Sequence, residues 1–258
     1  MPLRTLFGKA NSAPPMPLRS RDIAAEERPP GGGVEGFDTD DALAINHARM
    51  THLESLGLPL DGRRVLDVGS GPGHLAQFFV ERGCTVVSTD TREENIARMK
   101  ELYPGHDGRV ADVETDDVAS LGSFDIVFCY GLLYHLENPV RALRNLVAAC
   151  DDLLLIETML VDSHLAVLRL EDEYLSANQA VRGIAHRPSS TWLAMTLDRI
   201  GMSNIYAAAQ PPAHPDYRWL RRDDLSTERD GHLLRGIFVA SRRPLDLETL
   251  VPMVSQPE

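Results

Sequence analysis

An apolar run that breaks into glycines at every second position, Val65-Leu66-Asp67-Val68-Gly69-Ser70-Gly71-Pro72-Gly73, constrains this chain most. Four residues of strand character lead into a turn that only glycines can make tightly, and a helical segment follows. Gly69, Gly71 and Gly73 let the backbone approach a ligand closely, and the amides at the start of the next helix favour a carboxylate or phosphate. Two familiar readings are excluded. The dinucleotide fingerprint G-x-G-x-x-G fails because position 74 is His, and no tyrosine has a lysine four residues on, as a short-chain dehydrogenase requires. The glycines at 31–33 are not a phosphate loop, since no Gly-Lys-Ser/Thr follows them.

The segments around this motif alternate. Residues 63–68, 84–89, 108–113, 124–129 and 152–157 read as strands, and residues 74–82, 92–102 and 138–149 as helices, the last with Pro139 in its first turn. An earlier helix is expected from Asp38 or Thr39 to about Leu56, with Leu43, Ile45, His47, Met50 and Leu53 on its inner face. After Glu157 the pattern changes to a partly helical insertion over 159–187, a helix over 189–200, and strands at 204–209 and 234–240. This predicts an α/β, doubly wound sheet whose ligands bind at the carboxyl ends of the strands. Residues 1–36, rich in Pro, Gly and Arg, are expected to form a flexible arm. Residues 37–243 are the domain, with insertions at about 159–188 and 210–232, and 244–258 are a tail.

Acids stand where that rule points. Asp90 ends the second strand, where a carboxylate accepts both hydroxyls of a ribose. Asp112 ends the third strand and can accept from an exocyclic amine, with Val113 packing on the base. Asp112 also belongs to an acidic run with Glu114, Asp116 and Asp117, a pattern that a solvated face produces as well.

These motifs together resemble the class I S-adenosylmethionine-dependent methyltransferases. VLDVGSGPG is similar to their first motif, VVSTD to the strand ending in the ribose acid, ADV to the adenine contact, and FDIVFCYGLLYHLENP to their fourth motif. The resemblance implies an enzyme with S-adenosyl-L-methionine as cofactor. It also implies a seven-stranded, mostly parallel, Rossmann-like sheet with its last strand antiparallel. The cofactor residues implied are Asp67, Gly69, Ser70, Gly71, Gly73, His74, Asp90, Thr91, Asp112, Val113, Tyr130 and Gly131. GLLYHLENPVRAL with LLLIETML and LLRGIFVASRRP is similar to the tRNA wobble-uridine carboxymethyl transferases, a likeness that makes Tyr134, Arg182 and Arg235 pocket residues.

The expected reaction is methyl transfer to a small-molecule acceptor, a hydroxyl of a sugar or natural product. His135, in the loop after the fourth strand, is the candidate general base, because a histidine titrates near neutral pH. Tyr134 is the second catalytic candidate, and Glu157 a third that would orient His135 or touch the acceptor. Tyr174, His186, Tyr217 and Trp219 in the two insertions join Arg182 and Arg235 as acceptor contacts. The alternatives are a tRNA-modifying carboxymethyl transferase and an inert cofactor-binding module. The net charge of −12 argues against a nucleic-acid partner, and no lysine lies between Lys9 and Lys100 to pair a carboxylated cofactor. No metal site is expected, because the histidines are scattered. No apolar run reaches the roughly 18–20 residues of a membrane span, and three cysteines suggest no disulfide framework. A cytoplasmic protein is expected, and a homodimer is compatible with it.

Overall fold

The computed structural model describes residues 33–115, 118–173, 180–217 and 234–253. Of the arm expected over 1–36, residues 1–32 lie outside the described residues, as do Tyr174 and Trp219, while Val34–Phe37 form a 3-10 turn. Helix α1 (Asp40–Ser55) starts at Thr39, whose side chain accepts from the Ala42 amide, and leads into β1 (Arg64–Val68). Then follow α2 (Ala76–Val80), β2 (Thr85–Asp90), α3 (Glu93–Leu102), β3 (Asp107–Val110), β4 (Phe124–Tyr130), α4 (Pro139–Ala149) and β5 (Cys150–Leu160). A hairpin of β6 (Leu168–Asp172) and β7 (Ile184–Pro188) precedes α5 (Ser190–Arg199), β8 (Asn204–Ala208), β9 (Leu234–Ser241) and β10 (Leu250–Pro252).

The main sheet has eight strands in the order β10-β8-β9-β5-β4-β1-β2-β3. Strands β1 to β5 pair in parallel, whereas β9 runs antiparallel to both β5 and β8. The expected doubly wound sheet with an antiparallel closing strand is therefore present. One strand more than the expected seven arises because part of the tail, Leu250–Pro252, pairs with β8. Strand order reverses at β1, where chain connections leave to both sides and open a crevice at the strand ends.

Period-two alternation divides each central strand between two cores. On β1, Leu66 and Val68 join Val127, Leu154, Leu143 and Leu193 on the face of α4 and α5. Val65 joins Ile126, Phe128, Phe79 and Leu53 on the opposite face. Both faces being covered explains why β4 and β5 read as continuous apolar runs.

Two expectations change. Leu43, 43% exposed, and His47 face solvent, and α1 buries Ala48, Arg49 and His52 beside the expected Leu53. Leu53, Ile45 and Met50 do face the core as expected, but a helix that points an arginine inward has no clean apolar stripe, so hydrophobic spacing alone misses part of its inner face. Among the described residues, the insertion after Glu157 is a lengthened β5, within the main sheet, and the β6–β7 hairpin, whose two strands form a second sheet. Among the described residues no helix is long and apolar enough to cross a membrane.

Candidate active site

The glycine turn is held from below and from the side. The amides of Gly69 and Ser70 both donate to the Thr89 carbonyl at the end of β2, at 2.8 and 3.0 Å. Gly71 has φ +53°, and its amide donates to Asp90 Oδ2 at 2.9 Å. A Cβ on Gly71 would stand 2.9 Å from the Phe37 ring, so glycine here serves both the backbone angle and a close approach. Asp90 Oδ1 accepts from the Arg92 amide and from Asn95 Nδ2, at 2.9 and 3.0 Å. The acid at the end of β2 thus pins the loop it faces. Burial raises its pKa, against those three hydrogen bonds.

Asp67 lies beneath the loop, 2% exposed, accepting from Ser88 Oγ at 3.0 Å. Burial, opposed by the Ser88 bond and assisted by the charge of Asp90, pushes its carboxyl up to about 7. The unfolded chain releases this proton near 3.8. Between those values the folded state holds more protons, so this contribution to stability falls as pH rises from about 4 to about 7. Thermal melts across that window should show a falling component in the wild type that Asp67→Asn lacks. Identical pH slopes for the two proteins would refute it.

His74 is engaged on both ring nitrogens, with Tyr103 Oη and Asp38 Oδ1 each at 2.8 Å. Asp38 also binds Arg98, at 3.3 Å. Although Asp38's slight burial raises its pKa, those bonds outweigh it and hold the carboxyl below its usual range. The segment carrying Phe37 is fastened over the glycine turn in this way.

Two cavities meet at this point. The first is lined by Gly69, Asp90, Thr91, Asp112, Val113, Leu132 and Arg182. Arg182 binds Asp112 at 2.6 Å and Glu114 at 3.0 Å, with Glu137 at 3.7 Å. The residue expected at the acceptor therefore stands with the acids of the first cavity. The second, of about 410 Å³, is lined by Asn46, Arg49, Ser70, His74, Tyr130, Tyr134, Met159, Glu173, Arg187 and Arg235. Phe37, Gly69, Gly131 and His135 face both.

Behind the second cavity lies a buried ionic cluster. Glu157, fully buried, accepts from Arg49 at 2.9 Å, Arg235 at 3.0 Å and Tyr217 at 3.1 Å. Burial alone would raise its pKa, but the charges of Arg49 and Arg235 hold it below the usual range. Tyr217, expected in a lid, is 3% exposed and belongs to this cluster. Glu157 therefore does not orient His135. The carboxylate beside His135 is Glu173, whose Oε2 lies 2.5 Å from Nδ1. His186, on β7, bonds through Nδ1 to the Leu136 carbonyl at 3.0 Å. Arg49, Glu173 and Arg187 had no signal in the sequence, since each reaches the site from a segment without a motif.

The residues present fit S-adenosylmethionine. Cavity one offers the Asp90 and Asp112 carboxylates as acceptors for hydroxyl and amine groups. Cavity two offers donors. Tyr130 Oη, Arg187 Nε and Arg235 Nε are buried with no hydrogen-bond partner among the described residues. Arg235 Nε lies 3.5 Å from Asp216 Oδ2. Buried donors left open in a cleft suit a ligand carboxylate.

Comparison with known proteins gives the same architecture. Residues 41–206 match the family described as "Methyltransferase domain". The ubiquinone biosynthesis O-methyltransferase of Bordetella avium (strain 197N) is 35% identical over 111 residues, 42% of this chain and 44% of that protein. The tRNA U34 carboxymethyltransferase of Aeromonas hydrophila subsp. hydrophila is 28% identical over 184 residues, 67% of this chain and 55% of that protein. The chain spans about half the length of the curated relatives it matches. The N-terminal domain of EvdMO1, solved with SAH and D-fucose, aligns with a TM-score of 0.59 at 20% identity, covering 80% of this chain and 84% of that one. The 1,6-didemethyltoxoflavin-N1-methyltransferase of Burkholderia thailandensis aligns at 0.53 and 20% identity, covering 80% and 83%. At these identities the two structures speak for the fold.

Proposed function

This chain belongs to the methyltransferase-domain family, with the class I fold and S-adenosylmethionine as cofactor, and from that premise we propose that it methylates a hydroxyl of a small-molecule acceptor, a sugar or natural product, with His135 as general base. The observation that carries this reading is the place of His135, which lines the first cavity together with Asp90 and the second together with Tyr134 and Arg235. A base at that junction stands between a bound cofactor and an acceptor.

When bound, the cofactor supplies a methyl group on a sulfonium, which is displaced in line. Asp90 would hold its ribose, Asp112 and Val113 its base, and Tyr130 its carboxylate end. The second cavity orients the acceptor, and holding both reactants in one enclosure supplies much of the acceleration. His135 removes the hydroxyl proton as the oxygen attacks, and Tyr134 forms the wall beside it, ring to ring at 4.1 Å.

Calorimetric titration with S-adenosylmethionine and S-adenosylhomocysteine tests the cofactor half. Asp90→Ala should weaken binding about 10–100-fold, since the buried carboxylate both meets the ligand and pins the Gly71 amide. Affinity unchanged in that variant would refute the ribose role. An acceptor screen over hydroxylated sugars and natural-product scaffolds, read by S-adenosylhomocysteine release, tests the other half. Absence of binding to either cofactor form would favour an inert module instead.

A second reading, carboxymethyl transfer to a tRNA wobble uridine, draws on the match to a tRNA U34 carboxymethyltransferase over 67% of this chain. The net charge of −12 opposes phosphate contacts. Salt-sensitive retention on tRNA, with no product from the small-molecule screen, would favour it.

A further inference from the structure

The β6–β7 hairpin brings a carboxylate to the one histidine that both cavities share. Glu173 follows directly after β6. Its Oε2 lies 2.5 Å from His135 Nδ1 and also accepts from the Ala180 amide at 3.0 Å, while its own amide donates to the Gly183 carbonyl at 3.0 Å. The two side chains are 14% and 11% exposed, so water competes little for the bond. Burial would raise the pKa of Glu173, but the hydrogen bond and charge of His135, the Ala180 amide and the charge of Arg187 hold it below the usual range. An ionised carboxylate at Nδ1 requires a proton on that nitrogen, which leaves Nε2 as the basic one.

Other groups around the ring come from every neighbouring element. Tyr134 packs against it from the same loop. The Arg235 guanidinium of β9 lies 5.1 Å from the centre of the Tyr134 ring. Arg187 of β7 lines the same cavity as Glu173, and Glu157 of β5 is taken up by Arg49, Arg235 and Tyr217. Glu173 is the carboxylate among them that bonds the imidazole.

We infer that Glu173 is a positioning residue for His135, fixing the ring and its Nδ1–H tautomer so that Nε2 accepts the proton of the acceptor hydroxyl. This rests on the reading of His135 as base. In that step the acceptor O–H bond gives its proton to Nε2, and the oxygen electron pair forms the bond to the methyl carbon. The carbon–sulfur pair stays on sulfur as a neutral thioether. The imidazolium that results is paired with Glu173, so no isolated charge forms in the site. The same hairpin carries Arg182 to Asp112 and Glu114. One strap thus touches both the base and the wall of the first cavity.

The test is nitrogen-15 NMR of the full chain labelled at histidine, titrated from acid to alkaline pH, with His135→Gln to assign the resonance. The expected result is a neutral His135 protonated on Nδ1. The Nδ1–H form should lose its dominance in Glu173→Ala, which has no acceptor at that nitrogen, and be retained in Glu173→Asp. A wild-type ring protonated on Nε2, or a tautomer unmoved in Glu173→Ala, overturns the inference; the wild-type tautomer alone decides if that variant fails to fold. Once an acceptor is in hand, turnover retained in His135→Gln overturns the base reading. Turnover lost there, with the rate–pH profile of Glu173→Gln unchanged, overturns the positioning role alone.

Discussion

Glu157→Gln is expected to lower the stability of the protein by about 3–5 kcal/mol, the usual cost of leaving one side of a buried ion pair uncompensated. Glu157 is fully buried and is the shared counterion of Arg49 and Arg235, whose side chains are 9% and 12% exposed. An amide keeps the shape and can still accept a hydrogen bond, but it leaves two guanidinium groups out of water without their common negative charge. For a domain of this size that corresponds to a fall in melting temperature of roughly 6–20 °C. The pH dependence has a definite sign. The unfolded chain takes up this proton near 4.5, and the folded carboxyl is held lower. The pair's contribution is therefore complete above about pH 4.5 and is lost as pH falls through the folded value. Melts at pH 7 should separate the two proteins widely, and acidification should narrow the gap. Equal melting temperatures at pH 7 would mean that Asp216 and Asn46, already near these arginines, suffice as partners.

His135→Gln is expected to lower turnover about 10²–10⁴-fold, the range that a positioned general base supplies. Cofactor affinity should change little, because the acceptors of the first cavity, Asp90 and Asp112, stay in place. Glutamine keeps a polar side chain beside Glu173 but has no basic nitrogen. Single-turnover formation of S-adenosylhomocysteine with an identified acceptor separates this chemical loss from a binding loss. Turnover within a few-fold of wild type would remove His135 from the chemistry. A loss confined to KM would make it an acceptor contact instead.

The lining of the first cavity was readable because its residues sit at or near strand ends, in local motifs. Gly69, Asp90 and Gly131 lie at the ends of strands whose apolar runs are visible, and the parallel sheet sends those ends, with Asp112 after the polar β3, to one edge. The acceptor side was less so. The strands β6 and β7 are half exposed, with burial that gives no apolar run, and they read as part of a mixed insertion. The inner face of α1 was only partly found, for a related reason. Its deepest polar residue, Arg49, faces inward to meet Glu157, 108 positions later, and no local spacing announces such a partner.

The sequence by itself determined the doubly wound sheet, the glycine turn and the acid that pins it, because these follow from local periodicity and from the conformational freedom of glycine. The tertiary structure alone decided which carboxylate meets which partner. Two acids, Glu157 and Glu173, flank the same cleft; burial between two arginines made one of them a counterion, and a hairpin closing on the loop after β4 gave the other to His135. Ion pairing depends on through-space distance and on exclusion of water, and neither is encoded in the spacing of residues along the chain.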